Sequence, residues 1–268
     1  MPISDSDRHV SLRVAVVLLF AGAGLVAAAY HFFPISKNSN ALWQIAHGRC
    51  VPNEVVHHNP APCARVDVDH GVARGYVILK DIRGVAQFLL IPTRRIAGIE
   101  SPELLASDAP NYWAAAWQNR HFVSARAGRD LDWDKIGLAI NSPAARSQDQ
   151  LHIHIDCLRR DVRTLLAKHI AEIGMTWTRL SFALVGRHYM ARRLAAVDLE
   201  TQDPFKLLAH SLSPGQTMAQ ETLAVVGASF APGWNGFVLL AAHANPTKNL
   251  RAHSEDLLDH GCAVAEAK

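Results

Sequence analysis

Short apolar runs alternate with polar turns along most of the chain, and their spacing predicts a mixture of strands and helices. Strands are predicted over residues 75–80, 87–92, 136–141 and 151–157 and near 176–183 and 188–193, with further apolar runs at 222–227 and 236–242. Helices are predicted from Ser101 to Gly128, with a restart at Pro110, and over about 160–172. Because short turns join neighbouring strands, the pattern predicts an α+β fold with an antiparallel, hairpin-rich sheet and packed helices.

The longest apolar stretch lies near the N-terminus. Between Arg13 and Lys37 there are 23 residues without Asp, Glu, Lys or Arg, and a helix that spans a bilayer needs about 17–25 such residues. Arg8 and Arg13 precede the stretch, which favours a cytoplasmic N-terminus. A cleaved signal peptide is the alternative, because the alanines at 27–29 form an A-x-A cleavage site.

We prefer the uncleaved anchor, and both interpretations export the chain from about residue 38 onward. No linker rich in Gly, Ser or Pro divides the exported part, so we expect it to form one domain. The predicted organisation is a cytoplasmic N-terminus, a transmembrane signal anchor, a linker and an exported catalytic domain, over residues 1–13, 14–33, 34–41 and 42–268.

Composition narrows the class of protein. With 268 residues, 49% of them hydrophobic and 19% charged, the chain is too apolar for a disordered protein. The 27 basic and 24 acidic residues nearly balance, with a net charge of +3. Without a basic surplus, we expect no nucleic-acid partner.

The four cysteines, at positions 50, 63, 157 and 262, all follow the apolar stretch. An even number of cysteines in an oxidising compartment favours disulfide bonds, and four cysteines allow three pairings. Cys50 and Cys63 bracket a predicted polar loop and form the easiest local pair. That pairing leaves Cys157 to bond Cys262, whereas four unpaired thiols are the alternative.

The most promising chemistry lies in residues 139–157. In a strand alternate side chains share a face, so His152, His154 and Asp156 project together while the intervening isoleucines pack on the other side. Two surface histidines on a solvated strand are one explanation. A metal site is a second, but no H-E-x-x-H or C-x-x-C motif accompanies it.

A nucleophilic histidine that attacks phosphorus is a third explanation, with side-chain amides binding the phosphoryl oxygens. A serine hydrolase is not supported, because no G-x-S-x-G motif occurs. Asn141 ends the preceding strand and Gln148 follows it by seven residues. These amides, together with the alternating histidines, resemble the phosphate site of the histidine-triad superfamily.

Within that superfamily the chain resembles the bacterial CDP-diacylglycerol pyrophosphatase family. The resemblance rests on the blocks CVPNEVVHHNPAPC, GYVILKD, LLIPTRRIAGIESPEL, AINSPAARSQDQLHIHIDC and GRHYMARRL, which occur in this order. It covers the chain from about Leu42 to Cys262. It implies a histidine-triad-like sheet and hydrolysis of CDP-diacylglycerol to CMP and phosphatidate. We expect no cofactor, because amide donors and a histidine can offset the charge of the pyrophosphate without a metal. It also implies a membrane-held enzyme at the periplasmic side of the inner membrane.

The resemblance allows two assignments of the nucleophile, because this strand has two histidines rather than three. If Gln150 occupies the first motif position, His152 is the middle residue. If Asn141 and Gln148 set the register, His154 is the middle residue and Asp156 the third. We prefer the second register, in which His154 forms a cytidylyl-enzyme intermediate and His152 binds a phosphoryl oxygen.

Four further residues are predicted to bind substrate: the amides of Asn141, Gln148 and Gln150, and Lys80. Lys80 closes the first predicted strand, where it either contacts a phosphate or lies in solvent. A second class of function remains open. An exported metal- or nucleotide-binding protein without catalytic activity would use the same histidines as ligands. The sequence does not predict an oligomeric state.

Overall fold

The computed structural model describes residues 38–244 and 253–266. The predicted cytoplasmic N-terminus, the signal anchor and the first half of the linker lie outside the described residues. A compact unit begins at Ser39. In the part of the chain that the structure describes, no helix is both long and apolar enough to cross a membrane.

The core of the fold is one nine-stranded antiparallel sheet, in the order β1-β2-β3-β5-β4-β8-β9-β7-β6. The strands are β1 (Arg65–Asp67), β2 (Tyr76–Lys80), β3 (Phe88–Pro92), β4 (Ile136–Ile140), β5 (Ile153–Cys157), β6 (Thr178–Arg179), β7 (Met190–Ala195), β8 (Glu221–Ala231) and β9 (Trp234–His243). The predicted α+β class with an antiparallel sheet is confirmed. The strand that carries the histidines, β5, lies inside the sheet between β3 and β4.

The helices are short and lie on both sides of the sheet. They are α1 (Ala41–Ile45), α2 (Val51–His57), α3 (Tyr112–Gln118), α4 (His121–Arg126), α5 (Arg160–Lys168) and α6 (Pro204–Ala209). A π-helical turn, Ala46–Cys50, joins α1 to α2. Single 3₁₀ turns are found at Val72–Arg74, Pro102–Leu105, Trp133–Lys135, Ile170–Glu172, Ala196–Glu200, Met218–Gln220, Ser254–Leu257 and Ala263–Ala265.

The two faces of the sheet are covered differently. On the first, which we call the core face, α3 and α6 pack against the strands through large side chains such as Trp113, Trp117 and Phe205. Ile153 and Ile155 of β5 belong to this core. Because side chains alternate along a strand, His152, His154 and Asp156 project from the opposite side, which we call the histidine face.

The histidine face has two separate apolar clusters. Helices α1 and α2 cover β2 and β3 at one end of the sheet. Helix α5 and the leucines at 257 and 258 cover β4, β8 and β9 at the other. The strip between these clusters is formed by β5, so the polar side chains of β5 lie between two apolar covers.

Several predicted elements are wrong in extent. The helix predicted from Ser101 to Gly128 consists of a 3₁₀ turn and then α3 and α4. Asn119 is the C-cap of α3, and its side chain donates to the carbonyl of Ala115 and to Tyr76 Oη. The strand predicted near 176–183 is reduced to β6. The predicted polar loop after Cys50 begins as α2, which has a proline in its first turn.

Both predicted disulfides are present, and none of the four cysteines is free. Cys50 and Cys63 have Cα atoms 5.7 Å apart and join the end of the π-helical turn to the residues before β1. Cys157 and Cys262 have Cα atoms 5.1 Å apart and join the end of β5 to the C-terminal segment, which we define as residues 253–262. The second bond therefore holds this segment against the strand that carries the histidines.

Candidate active site

The two histidines lie in the middle of the histidine face and are nearly buried, with 8% of His152 and 5% of His154 exposed. His154 pairs with Ala139 of β4 and Asp156 pairs with Gly137. Ala139 and Gly137 have the smallest side chains, a methyl group and a hydrogen, so β4 leaves room above β5. The C-terminal segment uses this room, since a Cβ atom at Gly137 would lie 2.7 Å from a methyl group of Leu258.

The contacts of His152 define where its proton lies. Its Nδ1 is 2.7 Å from the backbone carbonyl oxygen of Gln150. Because a carbonyl oxygen only accepts, Nδ1 carries the proton and Nε2 keeps its lone pair. Burial lowers the pKa of His152, so the ring is neutral near pH 7. The ring therefore offers an unprotonated Nε2.

His154 has the opposite arrangement. Its Nδ1 is 2.5 Å from Nε2 of Gln87, and the same amide nitrogen is 3.4 Å from a carboxylate oxygen of Glu255. A carboxylate only accepts, which turns the amide nitrogen of Gln87 toward it, and the second amide hydrogen faces His154. His154 Nδ1 also lies 3.4 Å from the same carboxylate oxygen, but the amide nitrogen of Gln87 is its nearer neighbour. We therefore assign an accepting Nδ1 to His154, with the proton on Nε2.

Nε2 of His154 is buried and has no hydrogen-bond partner among the described residues. Burial lowers the pKa of His154 to about 3, although the neighbouring Glu255 carboxylate opposes this shift. The two rings, 5.0 Å apart between centroids and edge to face, are thus neutral bases with protons on opposite nitrogens.

A charged cluster lies next to His154. His260 Nδ1 is 3.0 Å from Asp156 Oδ2, and His260 Nε2 is 3.3 Å from Glu255 Oε1. The hydrogen bonds to Asp156 and Glu255 raise the pKa of His260 to about 10, so this imidazole is protonated at neutral pH. Burial raises the pKa of Asp156 against the opposing hydrogen bond from His260.

Burial would also raise the pKa of Glu255, but the hydrogen bond from His260, the nearby His154 and the Asn141 amide hold it well below its usual value. Glu255 is therefore ionised, and its second oxygen is 2.9 Å from Asn141 Nδ2. The cluster consists of two carboxylates joined by one imidazolium.

The predicted substrate-binding amides have partners within the protein. Asn141 donates to Glu255 and also accepts from its backbone N–H at 3.2 Å. Gln148 Oε1 accepts from the backbone N–H of Leu42 at 3.1 Å, which ties the start of α1 to the loop before β5. Asn141 is therefore connected to His154 through Glu255 and Gln87.

Gln150 and Lys80 hold backbone in place. The fully buried Gln150 donates from Nε2 to the carbonyls of Pro92, at 3.2 Å, and Arg94, at 3.0 Å. Lys80 Nζ donates to the carbonyls of Asp81, at 2.6 Å, and Gly84, at 2.9 Å. Lys80 thereby fastens the turn that precedes Gln87.

The residues that the sequence analysis missed are Gln87, Glu255 and His260. Gln87 directly precedes β3, whereas the other two belong to the C-terminal segment, about 100 residues after β5 in sequence. One signal pointed to them. A bond between Cys157 and Cys262 places the residues just before Cys262 beside the end of β5, where Asp156 lies.

Within residues 38–244 and 253–266, no three His, Cys, Asp or Glu side chains are grouped so as to hold a metal ion. A cavity of about 610 Å³ is lined by residues such as Trp177, Leu208 and Ala241 and includes neither His152 nor His154.

The fold and the site define a class of α+β protein with a paired-histidine site suited to phosphoryl chemistry. Comparison with known proteins is more specific. A model of the CDP-diacylglycerol pyrophosphatase family matches residues 37–266. A curated CDP-diacylglycerol pyrophosphatase from Yersinia pestis is 41% identical over 254 residues, which cover 94% of this chain and 93% of that protein. The chain therefore belongs to the CDP-diacylglycerol pyrophosphatase family and is a hydrolase, and the predicted family is confirmed.

Proposed function

We propose that the protein hydrolyses the pyrophosphate bond of CDP-diacylglycerol and releases CMP and phosphatidate. Membership of the family and the 41% identity to the curated Yersinia pestis enzyme support this substrate. The observation that carries the proposed mechanism is the pair of Nδ1 contacts, because His152 Nδ1 faces the Gln150 carbonyl and His154 Nδ1 faces the Gln87 amide nitrogen. From these contacts we assign the two protons to opposite ring nitrogens. One ring has a lone pair to attack with, and its neighbour has a proton to donate.

In the proposed mechanism, His152 Nε2 attacks the phosphorus of the CMP moiety. An N–P bond forms, the P–O bond to phosphatidate breaks, and the lipid phosphate leaves as a stable anion. Water then attacks the same phosphorus, which releases CMP and a proton and restores neutral His152. The Nδ1–H bond to the Gln150 carbonyl orients the ring in both steps.

The sequence register that we preferred assigns attack to His154. The contacts of the two rings favour the other register, in which His152 is the middle residue and attacks. The reason is that the lone pair of His154 Nδ1 faces Gln87 and the proton lies on its Nε2. We therefore propose that His154 donates a hydrogen bond to a phosphoryl oxygen and stabilises the charge that develops there. A neutral donor suits this role, because it need not give up its proton.

We also propose that residues 14–33 anchor the protein in the inner membrane with the catalytic domain in the periplasm. The 23-residue uncharged stretch and two disulfides, which form in oxidising compartments, support this location. An anchored domain meets a lipid-linked nucleotide without extracting it from the bilayer.

The test is incubation of the full chain with CDP-diacylglycerol in detergent, with and without a chelator, followed by measurement of CMP and phosphatidate. We expect equal amounts of both products and no effect of the chelator. His152→Asn, which keeps a donor near the Gln150 carbonyl, should abolish release, and His154→Asn should lower kcat by about 10²–10³-fold. His169→Asn is the control, since His169 lies in an ordinary surface pair with Glu172.

Absence of CMP release by the wild-type protein would refute the proposed substrate. Loss of activity in chelator would refute the metal-free mechanism.

A further inference from the structure

We propose that the C-terminal segment determines the protonation of the active site, with Glu255 and His260 acting as positioning residues that hold the proton of His154 on Nε2 through the amide of Gln87. The catalytic consequence rests on the proposed function. The claim about the His154 proton does not depend on it.

The first step is the position of the Gln87 amide between two acceptors. Gln87 is fully buried, and its Nε2 lies 2.5 Å from His154 Nδ1 and 3.4 Å from Glu255 Oε1. The same carboxylate oxygen is 3.4 Å from His154 Nδ1, so the shorter amide contact sets the direction of the hydrogen bond. An amide nitrogen has two hydrogens, one for each neighbour. If the amide were reversed, its oxygen would face the Glu255 carboxylate and His154 Nδ1 would have to donate. The charge on Glu255 therefore decides the orientation of Gln87.

The second step is the charge on Glu255. A buried carboxylate is stable only when donors surround it. Asn141 Nδ2 lies 2.9 Å from one oxygen and His260 Nε2 lies 3.3 Å from the other. His253 Nε2 is 3.5 Å from the first oxygen, at the more exposed side. The Asn141 amide and the His260 imidazolium are the donors that keep Glu255 an acceptor toward Gln87.

The third step is the placement of His260. Its Nδ1 is 3.0 Å from Asp156, which projects from β5 two residues after His154. Cys262, two residues beyond His260, is bonded to Cys157 of the same strand. The strand therefore holds the segment twice, by an ion pair and by a covalent bond. His260 is a third imidazole at the site, and it serves as a fixed positive charge between two carboxylates.

The consequence concerns the phosphoryl oxygen that His154 meets. With its proton on Nε2, His154 presents a hydrogen-bond donor. With its proton on Nδ1, it presents a lone pair that repels the negative oxygen. Substrate binding through the lipid and the nucleotide would change little, so the effect should fall on kcat more than on KM.

The experiment reads the His154 tautomer directly. We would record long-range ¹H–¹⁵N correlation spectra of the full chain, ¹⁵N-labelled at histidine and held in detergent. The His154 signals are assigned by their absence in His154→Asn. The wild-type protein should show the Nε2–H form.

Gln87→Glu conserves side-chain volume and places an acceptor beside Nδ1. We expect it to move the His154 proton to Nδ1 and to lower kcat by about 10²–10⁴-fold, as a wrong tautomer does in other enzymes. Glu255→Gln and His260→Gln should give mixed tautomers and lower kcat by about 10–100-fold, the usual cost of losing a partner that orients a histidine. His169→Gln, in an exposed imidazole–carboxylate pair, should change neither measurement.

Thermal unfolding separates local effects from misfolding. If Glu255→Gln fails to fold, the His154 tautomer and the kcat of the isosteric variant Gln87→Glu decide whether the proposal holds. The proposal is overturned if His154 keeps the Nε2–H form in Gln87→Glu, or if its tautomer changes while kcat does not. Absence of CMP release by the wild-type protein would instead refute the proposed function, and the spectra would still test the position of the proton.

Discussion

Two disulfide-bonded segments flank the histidine strip on the same face of the sheet, and they contribute differently. The N-terminal segment, which we define as residues 41–63, is closed by a bond of sequence separation 13 and buries apolar side chains against β2 and β3. The C-terminal segment is held by a bond of separation 105 and brings Glu255 and His260 to within hydrogen-bond reach of the β5 strip. The local bond supports the core, whereas the long-range bond also positions the site.

The largest effect is expected from removal of the long-range bond. Cys157→Ser with Cys262→Ser opens a loop of separation 105. The free energy of unfolding should fall by about 4–5 kcal/mol. In the protein that remains folded, kcat should also fall, because the C-terminal segment is no longer held against β5. Urea unfolding and CMP release without urea measure the two effects, and an unchanged kcat would contradict the comparison.

Removal of the local bond should separate stability from activity. Cys50→Ser with Cys63→Ser should lower the free energy of unfolding by about 3 kcal/mol and leave kcat within about twofold of the wild-type value. The reason is that this bond stabilises a segment that packs through apolar side chains. The hydrogen-bond partners of His152 and His154 Nδ1 lie elsewhere, at Gln150 and Gln87. The same two assays apply. A loss of kcat as large as in the other double variant would remove the distinction between the segments.

The charge of His260 should appear in the pH dependence of stability. Its pKa is about 10 in the folded protein, raised by Asp156 and Glu255, and near 6.5 when unfolded. The folded state therefore holds the proton more tightly. This contribution to stability is fully present below about pH 6.5 and is lost as the pH rises through 10. Between pH 7 and pH 10, the urea midpoint of the wild-type protein should fall more than that of His260→Gln. Equal falls would contradict the charged state of His260.

The smallest effect is expected for Gln148→Ala in the loop before β5. Loss of the acceptor for the Leu42 N–H should lower the free energy of unfolding by about 1 kcal/mol. We expect a smaller change in kcat than for Gln87→Glu, because the bond from Leu42 connects Gln148 with the N-terminal segment. A decrease in kcat of about 10²–10³-fold would instead support the phosphate-binding role that its spacing suggested.

The sequence predicted the α+β sheet and the strand that carries the site because both depend on local alternation. Ile153 and Ile155, which alternate with the histidines, indicate a packed strand, and the structure places them in the core. The disulfide pairing followed from loop length and from elimination. The short helices α1 and α2 were not predicted, since their few turns bury too few side chains to give a clear period.

The partners of the histidines were harder to predict. Glu255 and His260 lie about 100 residues beyond β5, and the expected bond between Cys157 and Cys262 was the signal that pointed to them. The amide of Asn141 was expected to bind phosphate, but it binds the carboxylate of Glu255. The protonation of each imidazole depends on whether a donor or an acceptor atom faces its Nδ1. Residue spacing in the sequence does not predict which atom that is.

The central claim is that the two histidines hold their protons on opposite nitrogens, so that His152 attacks and His154 donates. Peptide mapping of the protein during turnover tests it most directly. The reaction should be stopped in alkaline denaturant, because a phosphorus–nitrogen bond on histidine hydrolyses in acid. We predict a CMP adduct on His152 in the wild-type protein and in His154→Asn, and no adduct in His152→Asn. An adduct on His154, or one that persists in His152→Asn, would contradict the account.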